Sequence, residues 1–125
     1  IAAGPAPAQD IVAFQAPSGN IHCILIGGAG WNGARCDILE ASLSFPRRPA
    51  GCDLDWGHAF EVAAGGGAGP ICHGDTAFQP GSQVLPYGAS LSLGSVTCRS
   101  ERTGMTCTNR QGRGFSLARA AQRVF

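Results

Sequence analysis

Cys98-Arg99-Ser100-Glu101-Arg102-Thr103-Gly104-Met105-Thr106-Cys107 is the stretch from which the fold class follows. It reads as two short strands around a turn over residues 101–104, with Gly104 able to take the positive φ that closes such a hairpin. Centred on that turn, Cys98 and Cys107 face each other. The stretch therefore predicts a hairpin bridged across its own strands, and the same reasoning extends outward. The run Ile21-His22-Cys23-Ile24-Leu25-Ile26, the Gly27-Gly28-Ala29-Gly30 turn region and the segment from Trp31 to Cys36 place Cys23 near Cys36. By elimination Cys52 pairs with Cys72.

These six cysteines are all that the chain has, and no two of them stand in a CxxC arrangement. Zinc ribbons and fingers need ligand pairs two to four residues apart, and thioredoxin-type redox sites need CxxC, so three structural disulfides are the expected use. No metal and no cofactor are expected. Disulfides place the protein in an oxidising compartment, periplasmic or secreted. The Ala/Pro-rich start, Ala2-Ala3-Gly4-Pro5-Ala6-Pro7-Ala8, is of the kind that follows a removed signal peptide. Residues 1–10 are read as this lead and residues 11–125 as one disulfide-stabilised β domain.

Composition supports a turn-rich fold. With 19 Gly and 8 Pro in 125 residues, yet 44% hydrophobic and 14% charged residues, the chain is compact rather than disordered. The longest strongly apolar stretch, residues 21–26, is far short of the roughly 20 residues that span a bilayer as a helix.

Strand candidates recur at intervals of about ten residues, separated by Gly/Pro turns. They are residues 11–14, 21–26, 37–45 with Leu43 and Phe45 opposite Ser42 and Ser44, 54–62, and 84–98. Within the last, Leu91 and Leu93 are in phase while Val96 and Cys98 are shifted by one, which reads as a β-bulge at Gly94-Ser95. Residues 65–70 read as a flexible connector. Residues 116–125 read as a helix capped by Ser116, with Leu117, Ala120, Ala121 and Val124 on one face and Phe125 docking it onto the sheet. The expected fold is all-β or β-dominated: a small disulfide-stapled antiparallel barrel or sandwich with a short C-terminal helix.

Charge is unevenly distributed. Residues 99–125 hold Arg99, Arg102, Arg110, Arg113, Arg119 and Arg123 against Glu101 alone, whereas residues 1–98 hold three Arg and seven acids. This hides an acidic body and a basic end behind a net charge of +1. Those six arginines are the candidate binding residues. Guanidinium groups bind carboxylates and phosphates bidentately, so the end suits an acidic protein surface or envelope assembly, an anionic glycan or lipid head groups. The alternative is pairing with acids inside the fold. Nucleic acid is not an expected partner at so small a net charge.

No catalytic signature is present. His22, His58, His73 and Asp75 are the tempting polar residues, and Asp53 and Asp55 form a close pair, but no Gly-x-Ser-x-Gly elbow occurs and a turn in which Asp75 bonds its own backbone is the expected use of His73-Gly74-Asp75.

The ordered strings Phe14-x-x-Pro17-Ser18-Gly19-Asn20-Ile21-x-Cys23, Cys36-Asp37, Gly74-Asp75-Thr76, Leu85-Pro86-Tyr87-Gly88, Cys98-x-Ser100, Gly104-Met105-Thr106-Cys107-Thr108-Asn109 and Gly112-x-Gly114-Phe115-x-Leu117-x-Arg119 span roughly residues 11–125. Together they resemble a family of small exported bacterial domains of unknown function. The resemblance implies an exported bacterial protein with disulfide cysteines and brings no activity with it. The functional expectation is a non-enzymatic binding module or accessory subunit of a cell-envelope or extracellular assembly. The alternatives are an inhibitor of an extracellular hydrolase, plugging an active site with residues 46–49 or 65–70, and a small hydrolase using Asp53, Asp55, His73 or Asp75.

Overall fold

A computed structural model describes residues 8–125, so most of the lead expected over residues 1–10 lies outside the described residues. Eleven strands and, among the described residues, no helix make up the fold. One sheet has six strands in the order β5 (Ala68–Pro70), β4 (Ala59–Ala63), β3 (Gly33–Ile38), β2 (Ile21–Gly28), β1 (Gln9–Gln15), β6 (Gln83–Val84). The other has five, ordered β11 (Gln122–Val124), β10 (Gly114–Leu117), β9 (Gly104–Thr108), β8 (Val96–Glu101), β7 (Ser90–Leu93). All neighbours are antiparallel except β1 and β6. Both sheets keep open edges, so of the two architectures the sequence allowed, the sandwich is the one formed and a closed barrel is not.

The two central hairpins explain the core. Cys23 lies directly opposite Cys36 in the β2–β3 register, and Cys98 opposite Cys107 in the β8–β9 register. Their Cα separations of 4.1 and 4.0 Å belong to the narrow, non-hydrogen-bonded kind of cross-strand pair, in which side chains approach closely. Both bridges point inward and are wholly buried, and Cys36 Sγ sits 3.6 Å from Cys107 Sγ across the sandwich. With every sulfur oxidised this is a van der Waals contact between stacked disulfides. Phe14, Leu25, Phe60, Val62, Val96, Met105, Phe115 and Leu117 fill the layer around them, the Phe60 and Phe115 rings lying 6.1 Å apart. The third bridge joins Cys52 to Cys72 as expected, away from the core.

Several expectations need correction. Residues 116–125 are not a helix: Leu117 pairs with both Met105 and Gln122, a turn follows over residues 118–121, and β11 returns along β10. The reason is visible in Phe115 and Leu117, buried on one side with Ser116 between them, a period of two. An isolated ten-residue helix is marginal in water, whereas β10 completes a ladder and closes the core. Phe125 is 41% exposed and docks nothing; its backbone pairs with Gly114 and its ring lies under the Arg123 guanidinium.

Gly94-Ser95 is a hairpin turn rather than a bulge, because Leu93 pairs with Val96 and Gly94 takes φ 61°. Two residues facing each other across a two-residue turn share a face, and this produces the phase shift seen in the sequence. The Gly-rich connector is shorter than expected. Its residues 68–70 are β5, and Asn109 Nδ2 donates to the Ala63 and Gly66 carbonyls at 2.9 and 2.8 Å, tying the turn down. Residues 39–45 and 54–58 are not strands. The first runs beside the β10–β11 turn, where Ser42 N donates to Arg119 O and Ser44 N to Gln122 Oε1. Because one of these partners is a side chain, no backbone ladder results.

Candidate functional site

The loops left outside the sheets build a cavity at one end of the sandwich. It has a volume of about 470 Å³, lies beside the end of β3, and is lined by Ile38, Leu39, Arg48, Asp55, Trp56, His58, His73 and Asp75 among others. Two segments meet to form it. The Cys52–Cys72 bridge holds their beginnings together, and Asp55 and His73 exchange backbone hydrogen bonds of 2.9 and 3.1 Å just beyond it.

The floor is fixed by a salt-bridge network. Arg35, projecting from β3, donates Nε to Asp37 Oδ1 at 2.9 Å and a terminal N–H to Asp37 Oδ2 at 3.1 Å. Its other terminal nitrogen donates to Asp75 Oδ1 at 2.8 Å. Asp37 Oδ2 also accepts from Thr76 Oγ1 and Ala77 N at 3.3 and 3.2 Å, so one buried carboxylate latches the 73–77 segment to the sheet. Burial works to lower the Arg35 pKa, and the hydrogen bonds to Asp37 and Asp75 overcome it, leaving Arg35 above its ordinary value. The Arg35 hydrogen bond holds the Asp75 carboxyl below its usual range against the opposing effect of burial.

Both cavity histidines have defined roles for one nitrogen. His73 Nδ1 is 2.6 Å from the Asp75 carbonyl and His58 Nδ1 is 2.9 Å from the Ile38 carbonyl. A carbonyl only accepts, so each Nδ1 carries the proton and each Nε2 of the neutral ring offers a lone pair. Arg35 also approaches His73 Nδ1 at 3.3 Å, but this is a meeting of two donors, and Arg35 donates instead to the Asp75 carbonyl at 3.1 Å. His73 Nε2 and Trp56 Nε1 are buried with no hydrogen-bond partner among the described residues. Most buried polar groups in native proteins are hydrogen-bonded, so these two nitrogens, with the Ser100 hydroxyl, stand out among the described residues.

Of the polar residues singled out from sequence, His58, His73, Asp55 and Asp75 converge here. Asp53 is exposed and outside the lining, and His22 belongs to the core: its Nε2 donates to Gly19 O at 2.8 Å, its Nδ1 accepts from Gln79 N at 3.2 Å, and its ring meets Phe78 edge-on. The six candidate arginines do not form one patch. Arg99, on β8, pairs with Glu101, and Arg123, on β11, lies over Phe125. Arg102 lies over Tyr87 and shares a cavity of about 200 Å³ with Arg119, which is 3.4 Å from Glu40. Arg110 and Arg113 sit at the opposite sheet end, in or beside the turn joining β9 to β10, with Arg113 beside Gly67. Of the six, Arg119 alone pairs with an acid from outside the basic end, Arg99 pairs within it, and all six are exposed.

Sequence reasoning missed Arg35, Arg48 and Trp56 as site residues. For Trp56 the signal was present, since joining Cys52 to Cys72 carries the residues that follow each cysteine to the same place; Arg35 and Arg48 precede both cysteines and had no such signal.

The Cys23, Cys36 and Cys107 sulfurs lie within 4.8 Å of one another, a grouping that results from the stacked bridges. Thiolates ligate metals and disulfide sulfurs do not, so the oxidised core is not a metal centre.

Fold and cavity together define a disulfide-stapled two-sheet β-sandwich carrying a braced surface cavity, whose three disulfides are consistent with an oxidising, extracellular location. The chain belongs to DUF6636, a family of unknown function whose model matches residues 1–125. No curated protein and no solved structure matches it. No helix of the described residues is long and apolar enough to cross a membrane.

Proposed function

We propose that this protein is a non-enzymatic binding module, or accessory subunit, of a bacterial cell-envelope or extracellular assembly, acting in the periplasm or outside the cell. The observation that carries the reading is the braced cavity: a disulfide, a backbone bridge and a buried salt-bridge network hold its walls, while Trp56 Nε1 and His73 Nε2 make no hydrogen bond to another described residue. Rigid walls lower the entropic cost of capture, which is what a binding site requires. The exposed arginines, Arg102 and Arg110 among them, supply positive charge for an acidic partner or an anionic glycan or lipid head group at the sheet ends.

Photo-crosslinking in the native envelope tests this, from a probe at Leu54, which is exposed and lies beside Gly74 at the cavity. A discrete adduct that disappears with Trp56→Ala is the expected result. A strictly monomeric protein that forms no adduct refutes it.

The convergence of Asp55, His73 and Asp75 favours a small hydrolase as the second reading. Asp75, held ionised by Arg35, is poorly suited to donate a proton at neutral pH. No Ser, Thr or Cys side chain among the described residues is hydrogen-bonded to a histidine. Turnover abolished by Asp75→Asn in a folded variant would establish the hydrolase instead.

A further inference from the structure

The chemistry of the cavity narrows what it binds. Four kinds of group line it. Trp56 offers an indole face and one N–H donor. His58 and His73 offer Nε2 lone pairs, since each Nδ1–H is engaged by a backbone carbonyl. Asp55 and Asp75 offer carboxylate oxygens, and Ile38 and Leu39 continue the apolar wall. Arg48 is the one cation among the lining residues, while Arg35 is already committed to Asp37 and Asp75.

Acceptors thus outnumber donors, and even with Arg35 counted beside the two carboxylates it holds, the three acids at the cavity, Asp37, Asp55 and Asp75, outnumber the two guanidinium groups. An anion meets repulsion and lone pairs in such a place. A ligand rich in O–H donors, uncharged and with one apolar face fits every group: its hydroxyls donate to the two Nε2 atoms and the carboxylates, one hydroxyl oxygen accepts from Trp56, and its C–H face lies against the indole. A volume of about 470 Å³ is within the roughly 300–1,000 Å³ of small-molecule sites and holds one or two sugar rings.

We infer that the cavity beside Trp56 and His73 is a subsite for a neutral saccharide. This rests on the binding-module reading and gives its ligand a class. It also separates the two charge regions of the molecule, since the arginines at the sheet ends serve a different, acidic contact.

Trp31→Phe leaves Trp56 as the sole tryptophan, so its emission reports on the cavity alone. Maltotriose, cellotriose and tri-N-acetylchitotriose are titrated in turn, with choline and a heparin tetrasaccharide as cationic and anionic competitors. At least one neutral trisaccharide is expected to change the emission saturably below about 10 mM. Two variants read by calorimetry then test the contacts. Trp56→Phe keeps the ring and removes the donor. His73→Asn keeps a nitrogen at the Nδ1 position for the Asp75 carbonyl and removes Nε2. Each is expected to weaken binding about ten-fold, the size of one hydrogen bond to a buried group.

Binding by choline or heparin alone, silence from all three trisaccharides, or unchanged affinity in both variants overturns the inference. An envelope adduct at Leu54 combined with any of those results leaves the binding module standing and removes only the saccharide. If both adduct and sugar binding are absent, the two readings fail together.

Discussion

Mild reduction of the native protein should open one disulfide and spare two. Cys72 is exposed and its partner Cys52 is buried, outside the core cluster; Cys23, Cys36, Cys98 and Cys107 are all fully buried between the sheets. Exchange needs an in-line approach of an external thiolate to sulfur, so the Cys52–Cys72 bridge reacts in the folded state and the stacked pair reacts only after the sandwich opens. For a domain stable by about 5 kcal/mol the open fraction is on the order of 10⁻⁴, and the core bridges should react slower by roughly that factor, about ten-thousand-fold. Loss of the Cys52–Cys72 link, which closes a 20-residue separation, removes at most about 3 kcal/mol in the chain-entropy model, or a midpoint drop of roughly 10 °C. The sheets survive because none of the strands depends on that bridge for its pairing. The assay is timed dithiothreitol treatment, iodoacetamide trapping and peptide mass spectrometry, with thermal unfolding of the singly reduced species. Alkylation of all six cysteines at one common rate would refute the reasoning, since it would mean that the core bridges are no better protected than the loop bridge.

Other consequences of the structure are as direct. Ser100 is completely buried with its hydroxyl unpartnered, so Ser100→Ala should stabilise by about 1 kcal/mol, seen as a rise of the urea midpoint; a loss of stability would mean that the hydroxyl has a partner. Asp37→Asn should be severe, about 3 kcal/mol or more, because it leaves the largely buried Arg35 guanidinium without its bidentate carboxylate. Asp75→Asn should remain below about 1 kcal/mol, since that carboxylate is 79% exposed, and equal losses in the two variants would contradict the latch. Acid should release the same link. The Asp75 pKa is depressed on folding, so its contribution is full above the ordinary value of 3.8 and is lost as pH falls through the lower folded value. In the Trp31→Phe protein, Trp56 emission should shift in that range and should not do so in Asp75→Asn.

Local reading of the sequence reached the hairpins and their bridges because those depend on near neighbours. Cys98 faces Cys107 as soon as the turn is centred between Glu101 and Gly104, whatever the rest of the chain does. Gly104 is indispensable there in a way the turn alone does not show: a Cβ at that position would collide with the Leu117 carbonyl of β10, a neighbour thirteen residues away. The same limit lies behind the helix expected over residues 116–125, where the chain forms β10 and β11. Residues 116–125 satisfy an apolar period of 3.6 about as well as one of 2, and only the open edge of β9 decides between them.

The cavity shows the division most clearly. The residue types, the Cys52–Cys72 pairing and the uneven charge were all present in the order of amino acids. That order could not say that Arg35, on the second strand-pair of one sheet, would reach a carboxylate forty residues on, or that six arginines close in sequence would end up spread over the faces and both ends of a sheet. Strand pairing and disulfides between near neighbours are governed by local turn geometry and alternation, which sequence displays. Which loops meet, and which buried nitrogens are left without partners, depends on how two sheets pack and on contacts between residues far apart in the chain, and that is settled only when the whole core is in place.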